Sequence, residues 1–265
     1  MTKKILLSAV VASSLVMAAE PDLKKDDALV THTELGYIET QGNTETKTFN
    51  LEAKATKGWE KHIFHFIFDG QYADDKGIET KNKYFVELEY DYEFTDRFAF
   101  AYLVGYKSDK FSAFNYQAYT GPGAKYKAII SKNHNLSIEG NILYSVDEIS
   151  DIKYDGAGNV INYPNPNNTP VASTDLGDTD TYSSYRVKGI YGWQILENLK
   201  FDQELSYRSS FEDSNKYFVF SKTALSSKIS DMFSAGISYK VDYVNEAGTK
   251  DNTDTTLTLN LIMDY

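Results

Sequence analysis

The chain has 265 residues, which is enough for one large domain or two small ones. Its net charge of −11 argues against nucleic-acid binding, since phosphate contacts need clustered Lys and Arg. The absence of cysteine excludes disulfides, thiol nucleophiles, cysteine-based metal sites and a lipidated N-terminal cysteine. Although 42% of the residues are hydrophobic, the mean hydropathy is −0.45, so apolar residues are dispersed among polar ones and a helical membrane protein is disfavoured.

The first residues are typical of a secretory signal peptide, which we assign to residues 1–19. Lys3 and Lys4 supply the positive region, residues 5–17 the apolar region, and Ala18 and Ala19 the cleavage site. An N-terminal transmembrane anchor is the less favoured alternative, because the apolar run has only about 13 residues. A short periplasmic tether, residues 20–28, follows. The pattern predicts export from the cytoplasm.

Residues 29–265 consist almost entirely of segments in which apolar and polar residues alternate. The clearest is 84–94, where Tyr84, Val86 and Leu88 face one way while Glu87 and Glu89 face the other. Such a period of two predicts a strand with one apolar and one polar face. Twelve strands are predicted in this way. Their spans are 29–38, 46–57, 62–73, 82–95, 97–107, 115–130, 135–149, 181–194, 199–210, 216–229, 232–244 and 255–265.

One strand has an ambiguous orientation. In 216–229, Phe218 and Phe220 compete with Tyr217 and Val219 for the outward face. The other strands also place aromatic residues near both ends of their apolar faces, as interfacial girdles of a membrane barrel would. The alternative is that these aromatics are only good strand formers.

The predicted connections alternate in length along the chain. Short turns such as 58–61 and 196–198 alternate with mostly longer polar loops, among them 73–81, 108–114 and 150–180. Short turns at one end and long loops at the other are what an up-and-down antiparallel transmembrane β-barrel needs. We therefore predict an all-β fold, an outer-membrane barrel of about twelve strands over 29–265, with 150–180 as a long extracellular loop.

The last predicted strand closes the barrel. Its residues alternate between a lipid-facing side and a polar side, and closure requires pairing with the first strand near 31–37, because lipid leaves no partner for an open sheet edge. We expect the outward residues to form an assembly signal for the barrel assembly machinery of the outer membrane. These are Leu257, Leu259, Leu261, Met263 and Tyr265.

Three stretches carry a family resemblance: 35–55 with its Gly42-Asn43-Thr44 turn, 109–126 with Asp-Lys-Phe-Ser and a glycine-rich strand, and 254–265. They resemble the salt-induced outer-membrane protein family, also called domain of unknown function 481. The match covers most of the mature chain and is thin across 150–180. The resemblance implies an outer-membrane barrel in contact with outer-membrane lipid. It also implies that the chain comes from a Gram-negative bacterium. It implies no reaction.

The inward faces carry the charges. Strand four presents acidic residues and later strands present basic or mixed ones, so an acidic wall facing a basic wall would give a charged pore lining. The alternative is a lumen closed by paired charges, and both remain open here. Small residues on strand five (Ala99, Ala101 and Gly105) leave room for water or for neighbouring long side chains. The predicted lumen residues are Glu87, Glu89, Asp91, Glu93, Lys125, Lys127, Arg186, Lys188, Lys200, Asp202, Glu204 and Arg208.

Enzymatic chemistry is poorly supported by the sequence. The four histidines His32, His62, His65 and His134 fall at or near the short-turn end, and none has a neighbour at a spacing that indicates a nucleophile–base unit. His65 is predicted inward as a lumen hydrogen-bonding residue. No catalytic, cofactor-binding or metal-binding residue is assigned.

The sequence allows more than one interpretation of the loop 150–180. Residues 154–160 have the composition of a hairpin tip, and its aspartates fit no EF-hand spacing, so a solvated loop is favoured over a Ca²⁺ site. The alternative that this loop folds inward and plugs the lumen also remains open. The leading function is a narrow passive pore with a charged lumen, ahead of a structural or surface-interaction barrel and then a barrel hydrolase acting on lipid or peptide.

Overall fold

The computed structural model describes residues 29–40, 45–162, 164–165, 167–230 and 233–263. The predicted signal peptide, the tether, the Gly42-Asn43-Thr44 turn and Tyr265 lie outside these ranges. The side chain of Met263 is likewise outside them. Among the described residues, no helix has the length and apolarity required to cross a membrane.

Twelve long strands form one closed antiparallel barrel, and two short strands form a separate hairpin. The short pair is β8 (Ile152–Tyr154) and β9 (Ser173–Asp175). The barrel strands are β1 (Leu29–Thr40), β2 (Thr46–Trp59), β3 (His62–Asp75), β4 (Ile78–Glu93), β5 (Phe98–Asp109), β6 (Phe114–Ile130), β7 (His134–Ile149), β10 (Thr179–Leu196), β11 (Leu199–Ser210), β12 (Tyr217–Lys228), β13 (Phe233–Val244) and β14 (Thr253–Met263).

Neighbours along the chain are neighbours in the barrel, with β7 next to β10 and β14 returning to β1. Leu35 of β1 pairs with Leu261 of β14, within the region predicted for closure. A closed ring leaves no strand edge unpaired, which is the condition for a sheet in hydrocarbon. The predicted all-β, twelve-stranded, up-and-down architecture is therefore confirmed.

The two faces of the barrel are the reverse of those in a water-soluble protein. Large apolar side chains point outward, and Ile142 is 64% exposed. Charged side chains point inward, and Glu87 is only 2% exposed. A continuous apolar exterior with a polar interior is the pattern of a transmembrane barrel, in which lipid covers the outer face.

Stacked aromatic rings lie at both ends of the apolar exterior. At the long-loop end, ring centroids of Tyr207 and Tyr217 are 5.7 Å apart, and those of Tyr217 and Tyr243 are 5.8 Å apart. At the short-turn end, Trp59 stacks on Phe64 at 5.0 Å. Rings with polar edges suit the interface between lipid and water, so these rows mark the two membrane boundaries.

The prediction of a long loop at 73–81 is wrong. β3 runs to Asp75 and β4 begins at Ile78, so only Lys76 and Gly77 form the connection. Both have positive φ, 52° and 79°, as a two-residue hairpin turn requires. The segment is polar because this hairpin extends into water, and polarity alone does not distinguish a solvated strand from a loop.

The loop 150–178 contains a hairpin of its own. Ile152 pairs with Asp175, and Tyr154 forms a bridge with Val160, so the predicted hairpin tip at 154–160 is present. Asp155 Oδ1 accepts the backbone N–H of Asn159 at 2.8 Å and Gly158 takes φ 84°. The Asn159 side-chain amide also bonds this carboxylate, which lowers the pKa of Asp155. The described residues of this loop line neither of the lumen cavities described below.

Candidate functional site: the barrel lumen

The acidic residues of β4 meet basic residues of β10, which lies four strands away around the barrel. Arg186 Nη1 lies 2.6 Å from Glu87 Oε2, and Lys188 Nζ lies 3.4 Å from Glu87 Oε1. Arg186 also bonds Glu139 Oε1 at 2.8 Å. The predicted acidic and basic walls are therefore joined by ion pairs and do not stand apart across an open channel.

The same ladder continues toward the short-turn end. Lys125 bonds both Glu89 and Asp91, and Lys127 Nζ lies 2.8 Å from Glu93 Oε1. Each of these side chains alternates with lipid-facing residues on its strand, so the period of two places the charges inside. All the predicted lumen residues of β4, β6 and β10 take part in this first network.

A second network crosses the lumen between β1–β3 and β12–β13. Lys222 Nζ lies 3.0 Å from Glu34 Oε1 and 2.8 Å from Glu52 Oε1. Lys240 Nζ lies 2.7 Å from Glu52 Oε2 and also bonds Asp69. These five residues are not among the predicted lumen residues. Their signal was present, since each lies at an inward position of a strand that had been predicted.

Near the long-loop end, Asp242 of β13 bridges the barrel. Its two carboxylate oxygens accept from Lys83 Nζ at 2.9 Å and Lys107 Nζ at 3.0 Å, on β4 and β5. Lys83 also bonds Asp254 at 2.8 Å. These links lie across the lumen, because β13 and β5 are on opposite sides of the strand order.

An aromatic layer lies beside this bridge. Tyr119 occupies the space that Gly105 leaves, since a Cβ at Gly105 would lie 2.3 Å from Tyr119 Cζ. The tyrosine hydroxyl donates to Glu87 Oε2 at 3.0 Å. The guanidinium of Arg208 lies 5.1 Å from the Tyr119 ring centroid and 4.2 Å from that of Phe218. Phe218 thus faces the lumen, which resolves the ambiguous orientation of β12.

Two cavities of more than 100 Å³ lie inside the described part of the barrel. The inner cavity, toward the short turns, has a volume of about 130 Å³ and is lined by groups that include His65 and Asp202. The outer cavity, toward the long loops, has a volume of about 170 Å³ and reaches Lys107 and Asp242. Both cavities share five lining residues, which are Lys54, Ile67, Lys188, Glu204 and Lys222.

The chain can be placed in a family by comparison. The model of the family described as "Protein of unknown function, DUF481" matches residues 33–265. The chain belongs to this family. The expected resemblance to domain of unknown function 481 is therefore confirmed. A comparison with curated protein sequences finds no match.

Solved structures similar to the DUF481 chain are barrels as well. The NanC porin is 15% identical, with a TM-score of 0.48, and the match covers 90% of this chain and 100% of that one. The KdgM porin is 10% identical with a TM-score of 0.39, covering 88% and 97%. The translocator domain of the autotransporter NalP from Neisseria meningitidis is 8% identical with a TM-score of 0.41, covering 91% and 89%. These likenesses concern the barrel fold alone.

The DUF481 chain holds two inward histidines beside carboxylates. His65 Nε2 lies 3.2 Å from Asp91 Oδ2 and its Nδ1 lies 3.0 Å from Thr56 Oγ1. His32 Nε2 lies 3.3 Å from Glu34 Oε1. His65 is therefore inward and hydrogen-bonded. Two groups in the described residues have the spacing of metal ligands. They are His32, Glu34 and Glu52, and His65, Glu89 and Asp91.

Each of these groups already contains a bound ammonium. Lys222 bonds Glu34 and Glu52, and Lys125 bonds Glu89 and Asp91. A metal ion would have to displace that lysine from its carboxylates, so these side chains act first as members of the ion-pair networks. The order Thr56, His65, Asp91 is that of a nucleophile, a base and an orienting acid. However, Lys125 shares Asp91, so this carboxylate belongs to the ion-pair network as well.

Proposed function

We propose that this DUF481 barrel is a narrow passive pore with a charged lumen. The observation that carries the proposal is the contiguity of the two cavities. They meet at five shared side chains, and four of these are the long, flexible side chains of Lys54, Lys188, Glu204 and Lys222. Movement of the two less tightly held side chains, Lys54 and Glu204, would join the cavities into one path without any change in the barrel backbone.

The width of the barrel favours a pore for small solutes. Eight strands enclose only side chains, while 16 to 18 strands leave a wide channel, and twelve lies between these limits. The ion pairs across the lumen narrow it further. Rings of charged groups in such a space favour hydrated ions and small polar solutes, because the charges replace part of the hydration shell.

Single-channel recording tests the pore directly. The refolded protein, inserted in a planar lipid bilayer, should give small discrete conductance steps. Lys54 is the best side chain to remove, since it lines both cavities and bonds Glu52 at 2.9 Å. K54A should increase the step size, whereas K132A, on an exposed turn residue, should not. An absence of steps above the lipid background in both the wild type and K54A would contradict the proposal.

A structural or surface-interaction barrel is the second candidate. The bridge from Lys83 and Lys107 to Asp242 favours it, because this bridge crosses the lumen at the long-loop end. The same recordings separate the two candidates, since a closed structural barrel gives no steps with or without Lys54.

We further propose that the protein resides in the outer membrane, after export directed by residues 1–19, and that β14 engages the barrel assembly machinery. Leu257 and Leu259 face outward and are well exposed, while Thr258 and Asn260 face inward and are buried. L259D should block assembly, because it places a carboxylate in lipid. T256D is the matched control, since Thr256 faces Lys81, whose Nζ lies 2.9 Å from its hydroxyl. Equal amounts of both variants in the membrane would contradict the assembly role.

A further inference from the structure

The lumen contains one carboxylate at the junction of the two cavities that is not paired. Glu204 projects inward from β11 and lines both cavities. Lys222 lies directly opposite on β12, in register with Glu204, but its ammonium turns away to Glu34 and Glu52. Among the described residues, the Glu204 carboxylate has no hydrogen bond and no ion pair.

The cations at the same junction are all neutralised by other partners. Lys54 bonds Glu52 at 2.9 Å, and Lys188 lies 3.4 Å from Glu87. Opposite charges in contact cancel most of their field at the distance of a passing ion. Glu204 therefore supplies the net local charge, which is negative.

The inner cavity extends this negative character. Four carboxylates and one lysine, Lys125, line the inner cavity and not the outer cavity. The four are Glu34, Glu89, Glu139 and Asp202. In the described part of the chain, Glu139 Oε2 is buried and has no hydrogen-bond partner, whereas Asp202 Oδ1 has no hydrogen bond but lies 3.8 Å from Lys200 Nζ. A buried carboxylate oxygen without a partner is costly, and a cation with its water satisfies it.

The outer cavity has the opposite balance. Five cationic residues and four carboxylates line the outer cavity and not the inner cavity. The five cationic residues are Lys83, Lys107, Arg186, Arg208 and Lys240. The four are Glu52, Asp69, Glu87 and Asp242. The change in sign falls at the level of Glu204. The balance of charge in the lumen therefore changes at this residue.

We infer that the inner cavity binds small inorganic cations and that Glu204 sets a preference of the pore for cations over anions. The ligand class is a partly hydrated monovalent cation such as K⁺ or Na⁺. The scattered carboxylates differ from the cage of six to eight oxygens that a tight Ca²⁺ site needs. The inference deepens the proposed pore function and, for the selectivity it assigns, rests on it.

Reversal potentials under a KCl gradient test the selectivity. At about 1 M salt the Debye length is ~3 Å, so charges on the rim are screened and those within the path dominate. The wild type should prefer K⁺, E204Q should lose that preference severalfold, and E204K should favour Cl⁻. E197Q is the matched control, since Glu197 is exposed in the turn that precedes β11. Its ratio should equal that of the wild type.

A second measurement does not require conduction. The sodium NMR line of a solution containing the barrel in nanodiscs should broaden through exchange with the inner cavity, and E204Q should reduce this broadening while E197Q does not. Retained β-sheet circular dichroism establishes that each variant is folded.

The outcomes separate the two proposals. Wild-type steps with the same permeability ratio in E204Q overturn the role of Glu204 and leave the pore intact. If neither the wild type nor any variant gives conductance steps, the pore and its selectivity are both overturned. The width of the sodium NMR line then tests the cation-binding site alone. A line equally broad in the wild type and E204Q overturns that site.

Discussion

Lys222 on β12 reaches across the lumen to Glu52 on β2, with 2.8 Å between Nζ and Oε1. This is a link between strands that are far apart in the chain and not neighbours in the sheet. Both side chains are about nine-tenths buried, so the pair is shielded from bulk water. Pairs of this kind couple opposite walls of the barrel and narrow its lumen at the same time.

Removing the lysine of this pair should destabilise the barrel. K222M removes the ammonium from Glu34, whose other partners are the His32 imidazole and the Asn260 amide, and we expect the free energy of unfolding to fall by roughly 3 kcal/mol, as for other broken buried pairs. Lys240 still bonds Glu52, which limits the loss. Urea unfolding in detergent micelles measures the effect.

The control is an exposed ion pair. Lys110 Nζ lies 2.6 Å from Glu79 Oε2, but the lysine side chain is half exposed. K110M should therefore cost less than about 1 kcal/mol. Equal losses in the two variants would show that burial does not decide the contribution of these pairs.

Removing the bridge at the long-loop end should widen the path. D242A releases Lys83 and Lys107 from a shared carboxylate, and Lys83 retains Asp254 as a partner. The single-channel conductance should increase, since the bridge crosses the lumen. E79Q removes a charged pair on the rim that does not cross the lumen and should leave the conductance unchanged. A D242A channel no larger than the wild type would place the narrowest point elsewhere.

The contact between Gly105 and Tyr119 gives a test of packing in the lumen. G105A places a Cβ 2.3 Å from Tyr119 Cζ, so the ring must move and its bond to Glu87 is lost. Overpacking of this kind costs about 1–3 kcal/mol, measurable by urea unfolding. At Gly140 a Cβ meets nothing within 4 Å, so G140A makes the same chemical change without a clash. A loss of stability in G140A as large as that in G105A would refute the steric explanation.

The tip of the loop hairpin should respond to pH. Hydrogen bonds from Asn159 hold the pKa of Asp155 below its ordinary value of 3.8. The ionised carboxylate therefore stabilises the turn fully above that value, and the stabilisation is lost as the pH falls through the lowered pKa. N159A should raise the pKa of Asp155 toward 3.8, as followed by NMR titration of its carboxyl carbon. An unchanged pKa in N159A would assign the shift to another group.

The sequence alone was sufficient for the barrel. Because side chains alternate with a period of two, the sequence alone assigns residues such as Leu88 and Glu87 to opposite faces. Strand number, closure and the inward position of the β4 and β10 charges followed from this local rule. It failed at 73–81, where a solvated hairpin and a loop have the same polar composition.

The tertiary structure decided which charges meet. Register and closure determine the distances between non-neighbouring strands, and no local pattern encodes them. The alternation places Lys222, Glu204 and Glu52 in the lumen, but only the folded barrel pairs Lys222 with Glu52 and leaves Glu204 at the junction of two cavities. The sequence therefore determined the membrane barrel and its polar interior. The arrangement of charges along the path was decided by three-dimensional closure, because electrostatic energy depends on distances between side chains that are remote in the chain.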